Sequence, residues 1–320
     1  MMYTLPDTLR VARYRLALEA IDPLALPRHT GSALRGGFGA ALKQVACRQP
    51  GGCDRCAQPE SCAYGYVFET PVPPDSKVLR SLRDAPRPFV LVPPVGPMQC
   101  QRGEVFTLDV MLIGRGMDYW PYFLEAFKRL GETGLGRGRG RFRLARAWVV
   151  DPLGPWETLV YDGATDALRN ETLIAEAGDM EREAEQLPTD RLTVHLLTPT
   201  QLKHGGEFAQ QPAFHVLIRS ILRRLSSLAY FHCGVRWETD YKGIIEAAKA
   251  VEIEKASVTW GTWERFSGRQ RQQLPMSGIV GRMTYVGPLS PFRPLLVAGT
   301  VIHVGKGTVF GNGQYRVEAV

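Results

Sequence analysis

Residues 9–21, LRVARYRLALEAI, alternate between apolar and polar positions. Tyr14, Leu16, Leu18 and Ala20 fall on one face, and this period of two predicts a half-buried strand. After the loop DPLALPRH the period changes. Over residues 30–46, Leu34, Phe38, Ala41, Leu42 and Val45 recur at the three- and four-residue spacing of a helix with one buried stripe. Two strand-like runs follow, FVLVPP (89–94) and VFTLDVMLIG (105–114). A helical pattern over YWPYFLEAFKRLGE (119–132) and a strand pattern, FRLARAWVV (142–150), complete the first half.

The second half repeats this order. RLTVHLLTP (191–199) reads as a strand, and residues 212–231 as a helix with Phe214, Leu217, Ile218, Ile221, Leu222, Leu225 and Leu228 in its core stripe. SVTWGTWERF (257–266) and GIVGRMTYVG (278–287) read as a hairpin pair. SPFRPLLVAGTVIHV supplies a short helix, and QYRVEAV a last strand. Strand-helix-strand twice in each half is the ferredoxin-like topology in tandem: an α+β chain with two antiparallel sheets, each with helices on one face. The domains are expected at 1–150 and 191–320. A linker over 151–190 joins them, and its acidic stretch GDMEREAEQLPTD reads as a solvated linker or helix face.

A chain of 320 residues is long enough for two cores, and 44% hydrophobic with 22% charged residues describes a soluble globular protein. No apolar run reaches the ~18 residues of a membrane span. The N-terminus lacks the apolar segment of a signal peptide, so a cytoplasmic protein without a membrane partner is expected. The net charge of +7 suits a polyanionic partner. Its distribution sharpens the point: GLGRGRGRFRLAR (134–146) holds five arginines and no acid.

Cys47, Cys53, Cys56 and Cys62 fall within sixteen residues, CRQPGGCDRCAQPESC. In a cytoplasmic chain four thiols so spaced are expected to form a small metal knuckle inserted at 47–62. Zinc in a closed tetrahedral site of four thiolates is the expected occupant, with a structural role. An iron–sulfur cluster also accepts four thiolates, although ferredoxin spacings differ.

HVGKGTVFGNGQYRV (303–317) carries Gly305, Gly307, Gly311 and Gly313. It is not a P-loop, because five residues rather than four separate Gly299 from Gly305 and no Ser or Thr follows Lys306 directly. A dinucleotide loop would need glycine where Phe310 stands. In each half the glycine loop lies between the second helix and the last strand.

With HTGSALRGGFGAAL (29–42), WERFSGRQ (263–270), GIVGRMTYVG (278–287) and LLVAGTVIHVGKGTVFGNGQYRV (295–317), the chain resembles the RAMP superfamily of CRISPR systems. More narrowly it resembles the endoribonucleases that process CRISPR repeat RNA, and the cysteine insertion is similar to that of a subset. The resemblance implies metal-independent cleavage of precursor CRISPR RNA, with no catalytic metal. The ribose 2′-OH attacks the adjacent phosphodiester and leaves a 2′,3′-cyclic phosphate and a 5′-OH. It equally admits a non-cutting RNA-binding subunit, and effector-complex subunits as partners.

Such chemistry needs groups that move protons near neutral pH and cations near the phosphorane. His29, before the first helix, lies where the resemblance implies a catalytic histidine, and His204 in the loop QLKHGG is the second candidate. Arg35 and Lys43, eight residues apart on the first helix, are candidate cations on the face opposite the apolar stripe. Arg137, Arg139, Arg141 and Lys306, with Gly305, Gly307, Gly311 and Gly313, are expected at RNA phosphates. Arg269, Arg271 and Arg282 are further candidates around the hairpin, whereas His195, His215, His232 and His303 read as structural.

Overall fold

Alternation along β1 (Arg10–Ala20) puts Tyr14, Leu16, Leu18 and Ala20 in the core and Arg13 and Arg15 on the other face. The computed structural model in which this is seen describes all residues except 1, 27–28, 48–52, 54–55, 57–61, 74, 78, 80–83, 95, 137 and 268–271, together with the side chains of 263–267 and 272–276. Two compact units are present. The first comprises Val11–Ile174 with Phe231–Cys233, and the second Met1–Arg10, Ala175–Tyr230 and Gly234–Val320.

In the first unit β1 is followed by β2 (Leu24–Leu26), α1 (Thr30–Ala46), β3 (Phe89–Val92), β4 (Met98–Cys100) and β5 (Val105–Ile113). Then come α2 (Trp120–Thr133), β6 (Phe142–Val150), β7 (Glu157–Asp162) and β8 (Ala167–Leu168). The sheet runs β3-β5-β1-β6-β7-β8 with antiparallel neighbours. Its first four strands have the order expected of a ferredoxin-like domain. α1 and α2 pack together, and Phe38 of α1 sits fully buried among Phe89, Phe123 and Phe127, with ring centroids 5.6, 4.7 and 5.3 Å away. Burying a side chain of that size contributes about 1.5–3 kcal/mol. On the opposite sheet face, Asp109 binds the guanidinium groups of both Arg13 and Arg15.

The second unit contains a short strand β9 (Ile174–Glu176) at its start, α3 (Ala177–Ala184), β10 (Arg191–Thr200), β11 (Lys203–His204) and β12 (Glu207–Phe208). It continues with α4 (Phe214–His232), whose last two residues belong to the first unit, α5 (Tyr241–Ala247), β13 (Glu252–Ser267), β14 (Gln272–Val286), α6 (Arg293–Ile302) and β15 (Tyr315–Ala319). The sheet order β13-β14-β10-β15 reproduces that of the first unit's four-strand core. All seven stripe residues of α4 are buried, and Phe214 packs edge-on against Tyr285 and Phe292.

Three expectations change. Val45 is 38% exposed, because the buried stripe of α1 ends at Leu42. Residues 151–190 are not a linker: β7 and β8 extend the first sheet, and α3 buries Ala177, Met180 and Ala184 beneath its acidic face. Glu176 and Asp179 form a reciprocal capping box that starts this helix. Residues 1–10 join the second unit rather than the first, with the Leu5 N–H donating to Glu181 and Tyr3 packed on Phe292.

Candidate functional site

α1 starts at His29, whose backbone (φ −107°, ψ 70°) is not helical and whose side chain does not cap the helix. The helix then presents a run of small residues. Ala33, Gly37, Ala40 and Ala41, with Gln44, form one wall of a cleft of about 780 Å³. Leu130 and Thr133 of α2 and the segment Gly134–Leu135–Gly136, with Arg139, form the facing wall. Gly37 packs closely on α2: a Cβ there would stand 2.7 Å from a methyl of Leu130, so a larger residue requires that side chain to shift.

The glycine-arginine loop is a tight turn. Leu135 and Gly140 exchange backbone hydrogen bonds of 2.9 and 3.1 Å, and Arg139, just before Gly140, has φ +47°. A non-glycine residue held there carries strain, of a kind that clusters at ligand-binding sites. Arg139 is exposed and lines the cleft. Arg141 is differently placed: its guanidinium bonds Asp22 at 2.7 Å, and that bond holds the Asp22 carboxyl below its usual range. Arg141 is therefore already matched by a carboxylate within the fold. Arg137, Arg269 and Arg271 lie outside the described residues.

Arg35 and Lys43 do not stand free on a solvent face. The Arg35 guanidinium lies 4.3 Å from the Phe68 ring centre and the Lys43 ammonium 5.7 Å from that of Tyr64. Both rings come from the segment after the cysteines, where Gly65–Glu69 forms a π-helical turn and the Tyr64 hydroxyl donates to Glu69 at 3.0 Å. At about 1.5 Å per residue, Lys43 is about 21 Å along the helix from His29, too far to serve the same phosphorus atom. Arg35 is about 9 Å along. Cation–π contact with the packed rings accounts for both residues without a ligand.

In the second unit, the glycine loop is fastened to the end of β10. Lys306 N–H donates to Gln201 at 3.2 Å, and Gly313 N–H to Pro199 at 3.1 Å. Gly305 and Gly313 have φ of +83° and +74°, and a Cβ on either would collide with the carbonyl of Gln201 or Val304. Gly307 and Gly311, also at positive φ, flank a 3-10 turn over Thr308–Phe310. These glycines are needed by the fold's own backbone. The Lys306 ammonium stands 5.8 Å from the Phe208 ring centre. Arg282 is paired with Glu318, which also accepts from Arg316 and His195. Those bonds, Arg316 foremost, hold the Glu318 carboxyl below its usual range.

Three of the four histidines expected to be structural are held in the fold. His232 is buried, receives the Tyr66 hydroxyl at Nδ1 (2.9 Å) and donates from Nε2 to the Pro86 carbonyl (2.6 Å). His303 donates to the Asn312 carbonyl at 3.1 Å, and His195 bonds Glu318. His215 differs: half-buried, it packs its ring against that of the exposed His204, which Arg219 also bonds, a grouping not visible in the sequence. The sequence shows only the i, i+4 spacing of His215 and Arg219 on one helix.

Cys47, Cys53, Cys56 and Cys62 are each half-buried, and among the described residues no group of three or more His, Cys, Asp or Glu is placed to hold a metal. Burial and then the charge of Glu69 push the Cys53 thiol up, with smaller contributions from Cys47 and Cys56. The donor set suits zinc, and the cysteines adjoin the same aromatic turn that holds Arg35 and Lys43. Among the described residues no helix is long and apolar enough to cross a membrane.

Comparison with known proteins adds a family to this geometry. The model of the AF_1859_N N-terminal domain matches residues 9–173, and that of the CRISPR-associated endoribonuclease Cas6 matches residues 194–315. An uncharacterized protein of Archaeoglobus fulgidus is 26% identical over 300 residues, covering 92% of this chain and 93% of its own. Among solved structures, a Cas6 product complex superposes with a TM-score of 0.57 at 18% identity, covering 96% of this chain and all of that one. Thermus thermophilus Cas6 gives 0.56 at 15% identity over 97% and 99%. A chain of a partial Cas6-RT-Cas1–Cas2 complex gives 0.57 at 11% identity, over 98% of this chain and 47% of that one. At such identities the superpositions establish the fold.

Proposed function

The chain belongs to the AF_1859_N N-terminal domain family through its first half and carries a Cas6 domain in its second, and from that premise we infer that it is an endoribonuclease cutting precursor CRISPR RNA within its repeats. The observation that carries this reading is the Cas6 match over residues 194–315, in a chain whose first unit puts a histidine at the head of the helix lining its cleft.

Cleavage proceeds without a catalytic metal. A base removes the proton of the ribose 2′-OH, and the oxygen attacks the adjacent phosphorus. The bond to the 5′ oxygen breaks, and that oxygen takes up a proton, leaving a 2′,3′-cyclic phosphate and a 5′-OH. His29 is assigned one of these proton transfers, since an imidazole exchanges protons near neutral pH. Arg139 supplies a guanidinium to a phosphate at the mouth of the cleft, and Lys306 a cation on the second unit's glycine loop. Arg35 and Lys43 act on the packing of α1.

Repeat RNA incubated with the protein in EDTA is expected to yield two fragments, the upstream one ending in a 2′,3′-cyclic phosphate. Well-folded protein that leaves several different repeats intact overturns the enzyme reading. If it binds them without cutting, it is instead an RNA-binding subunit.

Cys47, Cys53, Cys56 and Cys62 are proposed to hold one structural zinc ion. Four thiolates leave no open position for water, so the metal's contribution is to fold the insertion. Elemental analysis is expected to find about one zinc per chain, and Cys53→Ser to lose it together with thermal stability. Protein without zinc that melts at the wild-type temperature contradicts the assignment.

A further inference from the structure

β11 and β12 form a small hairpin whose two-residue turn is Gly205–Gly206, both at positive φ. His204, at the end of β11, stands opposite Glu207 and is exposed. Its ring meets that of His215, in the first turn of α4, edge-on at 5.4 Å. One helical turn later Arg219 brings Nη1 to 3.3 Å from His204 Nδ1. A guanidinium only donates, so Nδ1 accepts and the His204 proton sits on Nε2.

This grouping holds an excess of positive charge. Burial, followed by the charges of His204, Arg219 and Lys249, holds the His215 pKa below its ordinary value, with Glu246 opposing them. Lys249 and Glu246 pair with each other at 2.6 Å and largely cancel. The hairpin adds Lys203 and Glu207, again one of each sign. Arg219 has no carboxylate partner among the described residues. Two imidazoles and a guanidinium thus converge, and the Arg219 charge is met by no carboxylate ion pair among the described residues. Nothing lies within 4 Å of where a Cβ would stand on Gly205 or Gly206, so the turn leaves room for a polymer to pass.

We propose that His204, His215 and Arg219 form a seat for a backbone phosphate of bound RNA on the second unit, occupied with His215 protonated. A phosphodiester offers two free oxygens, which match a guanidinium fork and neighbouring N–H donors. Its charge reverses the repulsion that discourages protonation of His215. Binding therefore takes up protons: affinity is greatest at acid pH and falls as pH rises through the histidine range. The site rests on the reading of the chain as an RNA-processing enzyme, and extends it to residues outside the first unit's cleft.

The test uses the full chain and a repeat RNA made uncleavable by a 2′-deoxy substitution at the cut, with binding measured at about pH 5.5 and about pH 8. Wild-type protein is expected to bind about tenfold tighter at the lower pH, and Arg219→Gln to lose about tenfold there with a salt slope shallower by about one. His215→Gln should flatten the pH dependence, and His204→Gln, on the exposed hairpin, serves where a helix variant fails to fold. The NMR titration of His215 should move to higher pH when RNA is added. Inorganic phosphate should move it only at far higher concentration, and the reverse order rejects RNA as the ligand.

RNA that is bound and cut while His215 stays unmoved and the salt slope unchanged overturns this site and leaves the enzyme intact. RNA that moves His215 but is not cut, when its 2′-OH is restored, supports the site and removes the enzyme. No binding of any repeat RNA removes both.

Discussion

His29→Ala is expected to lower the cleavage rate of a repeat RNA by at least about 100-fold while RNA affinity stays within about threefold. The two readouts separate because of where the residue stands. His29 opens α1, but its side chain does not cap the helix, so alanine removes no capping bond and leaves the stripe of Leu34, Phe38, Ala41 and Leu42 in place. A loss of 100-fold corresponds to about 2.7 kcal/mol of transition-state stabilisation, within the range for one positioned acid or base. The pH–rate profile should lose the limb that the imidazole titrates, and added imidazole should restore part of the rate. Full activity in His29→Ala moves the proton transfer elsewhere, His204 being next in line. A parallel fall in melting temperature and in rate would instead make the residue structural.

The elements were legible because their signals are local. The residues 30–46 and 142–150 expected from period alone are those of α1 and β6, and the whole core stripe of α4 is buried as its spacing requires. The burial of α3 escaped because its charged residues outnumber the three it buries, so its composition reads as solvent-facing while its period does not. Residues 1–10 escaped for another reason: nothing near them announces that Leu5 will bond Glu181.

The site divides along the same line. His29, Arg139 and the two glycine loops are candidates that neighbours in sequence suggest. Whether an arginine is available to RNA could not be read there, because its partner is distant in sequence: Asp22 claims Arg141 from 119 residues away, and Glu318 claims Arg282 from 36 residues away, across the intervening strand β10. The same holds for Arg35 and Lys43, whose rings come from beyond the cysteine insertion. The His204–His215–Arg219 grouping depends on a hairpin meeting a helix, a fact of tertiary structure.

Glycine-rich loops invite the inference that the ligand demands the glycines, and Gly313→Ala separates that from the alternative. At Gly313 φ is +74°, and a Cβ would stand far inside contact distance of the Val304 carbonyl, whose own residue donates its N–H back to Gly313 at 3.0 Å. Alanine in the left-handed region costs about 1–2 kcal/mol, and displacing packed backbone adds about 1–3 kcal/mol. The expected loss, about 2–5 kcal/mol, is a large part of the roughly 5–15 kcal/mol that holds a domain folded. Denaturant unfolding should show it as a lower midpoint with an unchanged slope. Gly138, in the first unit's loop, is the control: it is exposed, and a Cβ there meets nothing within 4 Å. Gly138→Ala should change stability by no more than about 0.5 kcal/mol. RNA affinity then assigns the roles. A Gly313→Ala protein as stable as wild type but weak in RNA binding would mean that the ligand requires that glycine. A destabilised protein whose folded fraction binds normally would mean that the loop's glycines build the platform, and that the phosphates are met by the side chains it presents, Lys306 in this unit and Arg139 in the other.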